Sequence, residues 1–290
     1  MRALPLLCCC CTLLAQEPKP PQELQRLADR LDAVHRPAGK AQPIESFAAA
    51  LVMEEVAAEE QRFQVELKAQ FLDWREPGKD RPKGLIRYTL AGTDRHVERG
   101  RDQDGFWLWN NGAVVSMPNK DFTTDYDAVQ RDVRLARQLL RFLDPAAVLR
   151  SLQNPTPVRE EPLKVGRYEP QPCLVVSGRL ATFPLLHAAG DDHAVQLTVY
   201  VDRDRGQLAA ILTLPLDPQG VPLQEQGEFI RFDDQRAVTG VLLPHKLEYS
   251  TVDAEGKRHK QLEVRITTIT LGPALRAEDF DRQKRWSPGR

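Results

Sequence analysis

The chain has 290 residues, with 40 basic and 41 acidic side chains and a formal net charge of −1. Acidic and basic residues are interspersed along the sequence, which excludes the one-sided basic surface of a nucleic-acid-binding protein and also a polyacidic tail. A chain of this length can bury a core that is stable without disulfides.

The first fifteen residues have the pattern of a secretory signal peptide. Arg2 supplies the positive charge, an apolar run covers 4–15, and 16–18 form a polar break. The run is too short to span a bilayer, so we expect cleavage after Ala15 and a periplasmic or otherwise extracytoplasmic protein. An anchor on one of the cysteines at 8–11 is the weaker alternative, because no Leu-x-[Gly/Ala]-Cys motif precedes them.

Cleavage there would remove four of the five cysteines and leave Cys173. The mature chain would then have neither an internal disulfide nor a zinc site built from several thiolates. Cys173 precedes a β-branched run, which is typical of a buried structural thiol rather than an activated nucleophile. Because no repeat and no low-complexity linker occurs, we predict one domain over 16–290.

The first half of the mature chain is predicted to contain one helix and six strands. The helix covers 23–35, where leucines recur at helical spacing. Residues 63–71 alternate strictly between apolar and polar, as in a half-buried strand, and 44–56 are expected to pair with them. Asp104-Gly105 and 111–112 favour tight hairpins. The predicted strands are 44–56, 63–71, 84–90, 95–99, 106–109 and 113–117.

A helical insertion at 124–153 interrupts the strands. A capping box opens its first helix at Thr124, and Asp144 with Pro145 begins a second, short helix. Strands then resume, so the pattern predicts an α+β fold of roughly ten to twelve antiparallel strands with two or three helices. The predicted strands of this half are 174–182, 195–202, 207–214, 228–233, 242–252 and 259–271.

No motif for catalysis, a cofactor or a metal stands out in the sequence. The Gly-x-Ser-x-Gly elbow, the phosphate loop and the dinucleotide fingerprint are all absent. His187 and His193 flank two aspartates that could bind a divalent cation, but the segment is more typical of an exposed hairpin loop. The 202–206 stretch lacks the ligands of a calcium loop and is predicted to be a turn. We therefore predict a non-enzymatic protein, while a spatially assembled active site stays open as an alternative.

Large apolar side chains form the most distinctive pattern. They indicate either a dense core or an apolar cavity inside a curved sheet with helices as its lid. For the cavity, alternation along the strands gives these candidate ligand-binding residues: Phe63, Leu67, Phe71, Ile86, Tyr88, Trp107 and Trp109.

Three stretches resemble motifs of one protein family. Residues 81–88 are similar to its Pro-x-x-x-Arg-Trp/Tyr strand, and 104–109 to its Asp-Gly-x-x-x-Trp strand and turn. The stretch that begins at 243–248 and ends at 280–281 resembles its closing strand pair and terminal Phe-Asp. Together with the order of elements, these stretches resemble the LolA/LolB-like family of periplasmic lipoprotein carriers.

The resemblance implies an unclosed β-barrel whose apolar mouth is covered by helices. It also implies a monomeric, non-catalytic protein that binds the acyl chains of lipoproteins or other envelope lipids, with a membrane protein as partner. An envelope-stress sensor of the same fold is the first alternative function, and an enzyme is the second.

Overall fold

A computed structural model describes most of the chain beyond residue 20. The predicted signal peptide lies outside the described residues. The described ranges are 21–37, 44–56, 62–75, 78, 82–91, 97–110, 113–116, 123–164, 169–186 and 193–284.

Within these ranges, the first half contains two long helices, one short helix and six strands. They are α1 (Gln22–His35), β1 (Ser46–Val56), β2 (Arg62–Arg75), β3 (Pro82–Ala91), β4 (Val97–Arg101), β5 (Phe106–Asn110), β6 (Ala113–Ser116), α2 (Thr123–Phe142) and α3 (Pro145–Arg150). The second half contains β7 (Arg159–Leu163), β8 (Gln171–Phe183), β9 (His193–Asp202), β10 (Leu208–Pro215), β11 (Gly227–Val238), β12 (Val241–Val252) and β13 (Arg258–Leu271).

All of these strands belong to one antiparallel sheet. Its strand order is β6-β5-β4-β3-β2-β1-β13-β12-β11-β10-β9-β8-β7. The chain therefore makes two meanders, which are joined where β1 pairs with β13. In the described part of the chain the two ends of the sheet, β6 and β7, do not pair with each other, so the barrel is not closed. The predicted α+β fold, an unclosed antiparallel barrel with two or three helices, is confirmed, and the described helices number three.

The sheet has thirteen strands, one more than the upper end of the predicted range, because β7 was not predicted. Its sequence, Arg-Glu-Glu-Pro-Leu, lacks apolar alternation, and Pro162 lies opposite Pro172 of β8. Proline cannot donate to a neighbouring strand and is tolerated at a sheet edge. The predicted start of α3 is confirmed, since the Asp144 side chain accepts a hydrogen bond from the backbone N–H of Ala147 at 2.9 Å.

The two faces of the sheet have different coverings. The concave face packs against the apolar sides of α1, α2 and α3 and forms the main core. On the convex face, Phe280 in the C-terminal segment is fully buried against Leu85 of β3. None of the described helices combines the length and apolar character needed to cross a bilayer.

Candidate functional site

An apolar cavity lies between α2 and the concave face of the sheet. Its volume is about 50 Å³. The sheet contributes side chains from β1, β2, β3, β12 and β13, and α2 closes the other side. The lining residues are Phe47, Ala49, Leu51, Met53, Leu67, Ala69, Ile86, Tyr88, Leu247, Val264 and Ile266 from the sheet, and Asp132, Leu135, Ala136 and Leu139 from α2.

Small side chains in facing positions create this space. Ala49 of β1 lies opposite Ala69 of β2, which lies opposite Tyr88 of β3, so all three point to the same face. Ala136 faces them from α2. Alanine fills far less volume than leucine at such a position. The helix and the sheet therefore enclose a gap where most cores are filled.

The mouth of the cavity is at the rim between β1 and α2. Leu51, Asp132 and Leu135 are partly exposed, whereas the other lining residues are buried. At the same rim, Arg131 of α2 forms an ion pair with Glu55 of β1, with 2.8 Å between its Nη2 and the carboxylate oxygen. The mouth of an apolar cavity is thus bordered by charges.

Asp132 is the one carboxylate among the described lining residues. Its side chain is 12% exposed, and the Arg131 guanidinium lies 3.2 Å away. Burial raises the pKa of Asp132 and outweighs the lowering by the adjacent Arg131 guanidinium. Burial, followed by the charge of Asp132, raises the pKa of Tyr88 well above its ordinary value, so this phenol stays protonated.

Polar contacts hold α2 over the cavity from its far side. Arg134 donates a hydrogen bond to the carbonyl of Leu186 at 3.1 Å, and Arg141 donates to the carbonyl of Thr182 at 2.7 Å. Gln138 donates to the carbonyl of Pro184. These contacts fix α2 to the end of β8 and to the segment that follows it, so α2 spans the concave face from β3 to β8.

The structure brings together most of the sequence-predicted ligand-binding residues. Leu67, Ile86 and Tyr88 line the cavity. Phe71 is fully buried on the same face and stacks on Phe47, with 5.6 Å between the ring centres. Phe63 lies in β2 in register with Glu55 of β1, and its side chain lies outside the described residues.

The two tryptophans of β5 lie on the opposite face, which corrects the predicted direction of this strand. Trp107 is in register with Gly100 of β4, which is in register with Arg87 of β3. The Arg87 guanidinium lies 5.4 Å from the centre of the Trp107 ring, on the convex side. Because side chains alternate along a strand, Trp109 points the same way. Phe106 of β5 instead faces inward, and its ring centre lies 4.4 Å from that of Tyr126 in α2.

Sequence reasoning predicted helices as the lid of the cavity, but it missed the lining side chains of α2, of β1 and of the last two strands. Among these residues, Asp132 is the one that the sequence could have indicated as part of the site. It stands four residues before Ala136 and seven before Leu139, on the apolar side of the helix. A charge at that spacing marks a polar group that faces a core or a cavity. Leu247 and Val264 could not be found this way, since their proximity depends on the pairing of β1 with β13.

The other predicted sites have structural roles or lie partly outside the described residues. His193 begins β9, whereas His187 is not described. Asp202 accepts hydrogen bonds from the backbone N–H groups of Asp204 and Arg205 at 2.8 and 2.7 Å, which confirms the predicted turn. Cys173 is 1% exposed, and burial, followed by the charge of Asp202, raises its pKa to about 11.

The solved structures that are similar to this chain include three that cover most of it. An outer membrane lipoprotein-sorting protein domain from Vibrio parahaemolyticus has a TM-score of 0.43 and 11% identity, covering 89% of this chain and 96% of its own. A DUF1329 family protein from Desulfovibrio piger has a TM-score of 0.43 and 9% identity, covering 90% and 96%. A LolA superfamily protein from Nitrosomonas europaea has a TM-score of 0.42 and 9% identity, covering 90% and 98%. No protein-family model and no curated protein matches the chain.

Proposed function

We propose that this protein reversibly binds the acyl chain of a lipoprotein or another envelope lipid in the cavity under α2. The observation that carries the proposal is the cavity itself, whose described lining is apolar except at Asp132 and Tyr88. Both groups are largely buried, and this lining contains no serine, cysteine or histidine that could act as a nucleophile. Binding without a covalent step fits this lining best.

The size of the cavity requires that α2 moves when a ligand enters. A single water molecule needs about 10–15 Å³ of cavity volume. A cavity of about 50 Å³ therefore holds only a few water molecules. Each methylene buried from water contributes about 0.8 kcal/mol to binding. A chain of ten or more carbons therefore gains from displacing α2, provided that opening the lid costs less than the sum of these contributions.

A charge placed in the cavity tests the proposal. We expect Leu67→Asp to abolish saturable binding of a fluorescent fatty acid, because the chain would have to desolvate an unpaired carboxylate. Gln64→Asp is the matched control, since Gln64 is exposed on the same strand and points to the other face. Circular dichroism of both variants must match the wild type. Absence of saturable binding by the wild-type protein would contradict the proposal.

We further propose that the protein acts outside the cytoplasm, as a monomeric carrier that delivers its ligand to a membrane-protein partner. The signal-peptide pattern of residues 1–15 and the resemblance in the strand motifs support this proposal. The intact mass of the exported protein tests the first part, with a chain beginning at Gln16 expected. A diacylated cysteine in that protein would contradict it.

A further inference from the structure

We propose that Asp132 makes the cavity selective for acyl chains with uncharged head groups, namely esters, amides and alcohols, over free fatty acid anions. The inference rests on the proposed function, because it concerns which acyl ligands the same cavity accepts. In this proposal the charged side chains at the rim select the head group, while the apolar lining attracts the acyl chain.

The geometry of the rim places one guanidinium between two carboxylates. Arg131 lies 2.8 Å from the Glu55 carboxylate and 3.2 Å from that of Asp132. These contacts use its Nε and Nη2 atoms. Asp132 and Glu55 belong to α2 and β1, which form the two sides of the mouth, so the head group of a bound lipid would sit beside this cluster.

A fourth charge balances the cluster. Arg99 of β4 lies opposite Tyr88 in register, on the concave face, and its charge lowers the pKa of the Tyr88 phenol. The charges of Asp132, Arg131 and Arg99 act on the Tyr88 phenol, and Glu55 pairs with Arg131, so the cluster holds two carboxylates and two guanidinium groups. A balanced cluster offers no excess positive charge to an incoming carboxylate. That carboxylate would lose its hydration and gain at most one hydrogen bond from Arg131, whose charge two carboxylates already neutralise.

An uncharged head group avoids this cost. An ester or amide carbonyl needs a hydrogen-bond donor, and a guanidinium carries five N–H donors. In the described part of the chain, the contacts of Arg131 engage Nε and Nη2, which leaves Nη1 to donate to such a carbonyl. The ion pairs of Arg131 with Asp132 and with Glu55 then remain intact while the lipid is bound.

Removal of one carboxylate should reverse the preference. Asp132→Asn leaves Arg131 with excess positive charge beside the mouth, which favours a fatty acid anion. Glu55→Gln should act in the same direction from the other side of the mouth, and we expect this variant to fold because the Glu55 side chain is 44% exposed. Glu66→Gln is the control, because Glu66 is an exposed carboxylate of β2 on the convex face.

The experiment compares two ligands of equal chain length, laurate and monolauroylglycerol. Each displaces a neutral solvatochromic dye from the full mature protein at pH 8, below the micelle concentration of both lipids. For the wild type and Glu66→Gln, we expect monolauroylglycerol to bind about tenfold more tightly than laurate. For Asp132→Asn and Glu55→Gln, we expect that ratio to fall to about one or below.

The outcomes separate the two proposals. If both lipids bind the wild type equally, or if neither variant changes the ratio, the selectivity proposal is wrong while acyl binding stands. If neither lipid nor the dye binds saturably, acyl binding is wrong, and the selectivity proposal falls with it.

Discussion

The Nε2 atom of His35 accepts a hydrogen bond from the backbone N–H of Leu208, at 3.1 Å. Its Nδ1 atom lies 3.0 Å from the carbonyl oxygen of Leu242. Since Nε2 accepts, the proton of the neutral ring is on Nδ1, which donates to Leu242. One buried imidazole at the end of α1 thereby ties that helix to both β10 and β12.

This arrangement makes stability depend on pH. Burial lowers the pKa of His35 below 6.5, more than Leu242 and Asp144 raise it. As pH falls below about 6.5, the unfolded chain binds a proton that the folded chain does not, so the free energy of unfolding decreases by at most about 1.4 kcal/mol per pH unit.

Replacement of His35 should remove that contribution. We expect His35→Gln to lose about 1–3 kcal/mol at pH 8 and to show a weaker decrease of stability between pH 6.5 and 5. Urea unfolding across this pH range measures both effects. His259→Gln is the control, since His259 is exposed and pairs with Asp253. An unchanged pH profile in His35→Gln would contradict the assignment.

Gly84 allows α2 to lie close to the sheet. A Cβ atom at Gly84 would lie 2.8 Å from Val133 of α2 and 3.0 Å from the Phe71 ring. Gly84→Ala should therefore push α2 outward, lower stability by about 1–3 kcal/mol and speed the entry of an acyl chain. Stopped-flow mixing with a fluorescent fatty acid measures the association rate. Val133→Ala in the same chain removes the shortest contact and should return the association rate towards the wild-type value, and an unchanged rate would exclude the Val133 contact as the cause.

A larger side chain that fills the cavity should weaken ligand binding without unfolding the protein. Ala136→Leu places additional methyl groups in the space opposite Ala49 and Ala69. We expect acyl-chain affinity to fall at least about tenfold, while the free energy of unfolding changes by less than about 1 kcal/mol. Ala147→Leu, on the exposed side of α3, should change neither. Unchanged affinity in Ala136→Leu would place the ligand elsewhere.

An ion pair on the convex face holds the C-terminal segment. Arg282 Nε donates to Asp102 at 2.6 Å, and the Asp102 side chain is 6% exposed. Burial raises the pKa of Asp102, but the hydrogen bonds from Arg282, Asp104 and Gly105 outweigh it and lower the pKa.

Loss of the arginine should therefore leave a buried carboxylate without its partner. We expect Arg282→Leu to cost about 2–3 kcal/mol at pH 7. The difference from the wild type should shrink as pH falls through the lowered pKa of Asp102, because the carboxylate is then protonated in both proteins. Thermal unfolding at pH 7 and pH 3 tests this, and an equal difference at the two pH values would contradict it.

Cys173 should report on unfolding. Its thiol is buried and has a pKa of about 11, so little thiolate is present at pH 8. In a chain that begins at Gln16, we expect a thiol-reactive disulfide reagent to label Cys173 only when urea unfolds the protein. Rapid labelling of the folded protein at pH 8 would show that this thiol is accessible.

Alternation along the strands was enough to predict the inner face of β2 and β3. Leu67 and Tyr88 have polar neighbours on both sides in the sequence, so the sequence indicates which residues of these strands point inward. In β5 both faces of the strand carry large apolar side chains, since Phe106 points inward and Trp107 points outward. When both faces of a strand are apolar, alternation does not tell which face points inward. The prediction that Trp107 points inward was wrong for that reason.

Long-range pairing limited the prediction of the site. Nearly half of the lining residues come from β12, β13 and α2, and no local pattern places β12 and β13 on the same side of the sheet as β1. The strand β11 was also predicted too short, because 233–236 resemble a polar loop. In the structure they continue the strand to a turn at Thr239-Gly240.

The pairing of β1 with β13 also has a consequence for synthesis of the chain. The first strand to be made has the last strand as its neighbour, so the centre of the sheet is completed only when the final strand emerges. Until then the edge of β1 is an open template for strands of other molecules. Chains truncated before β13 should therefore aggregate rather than fold.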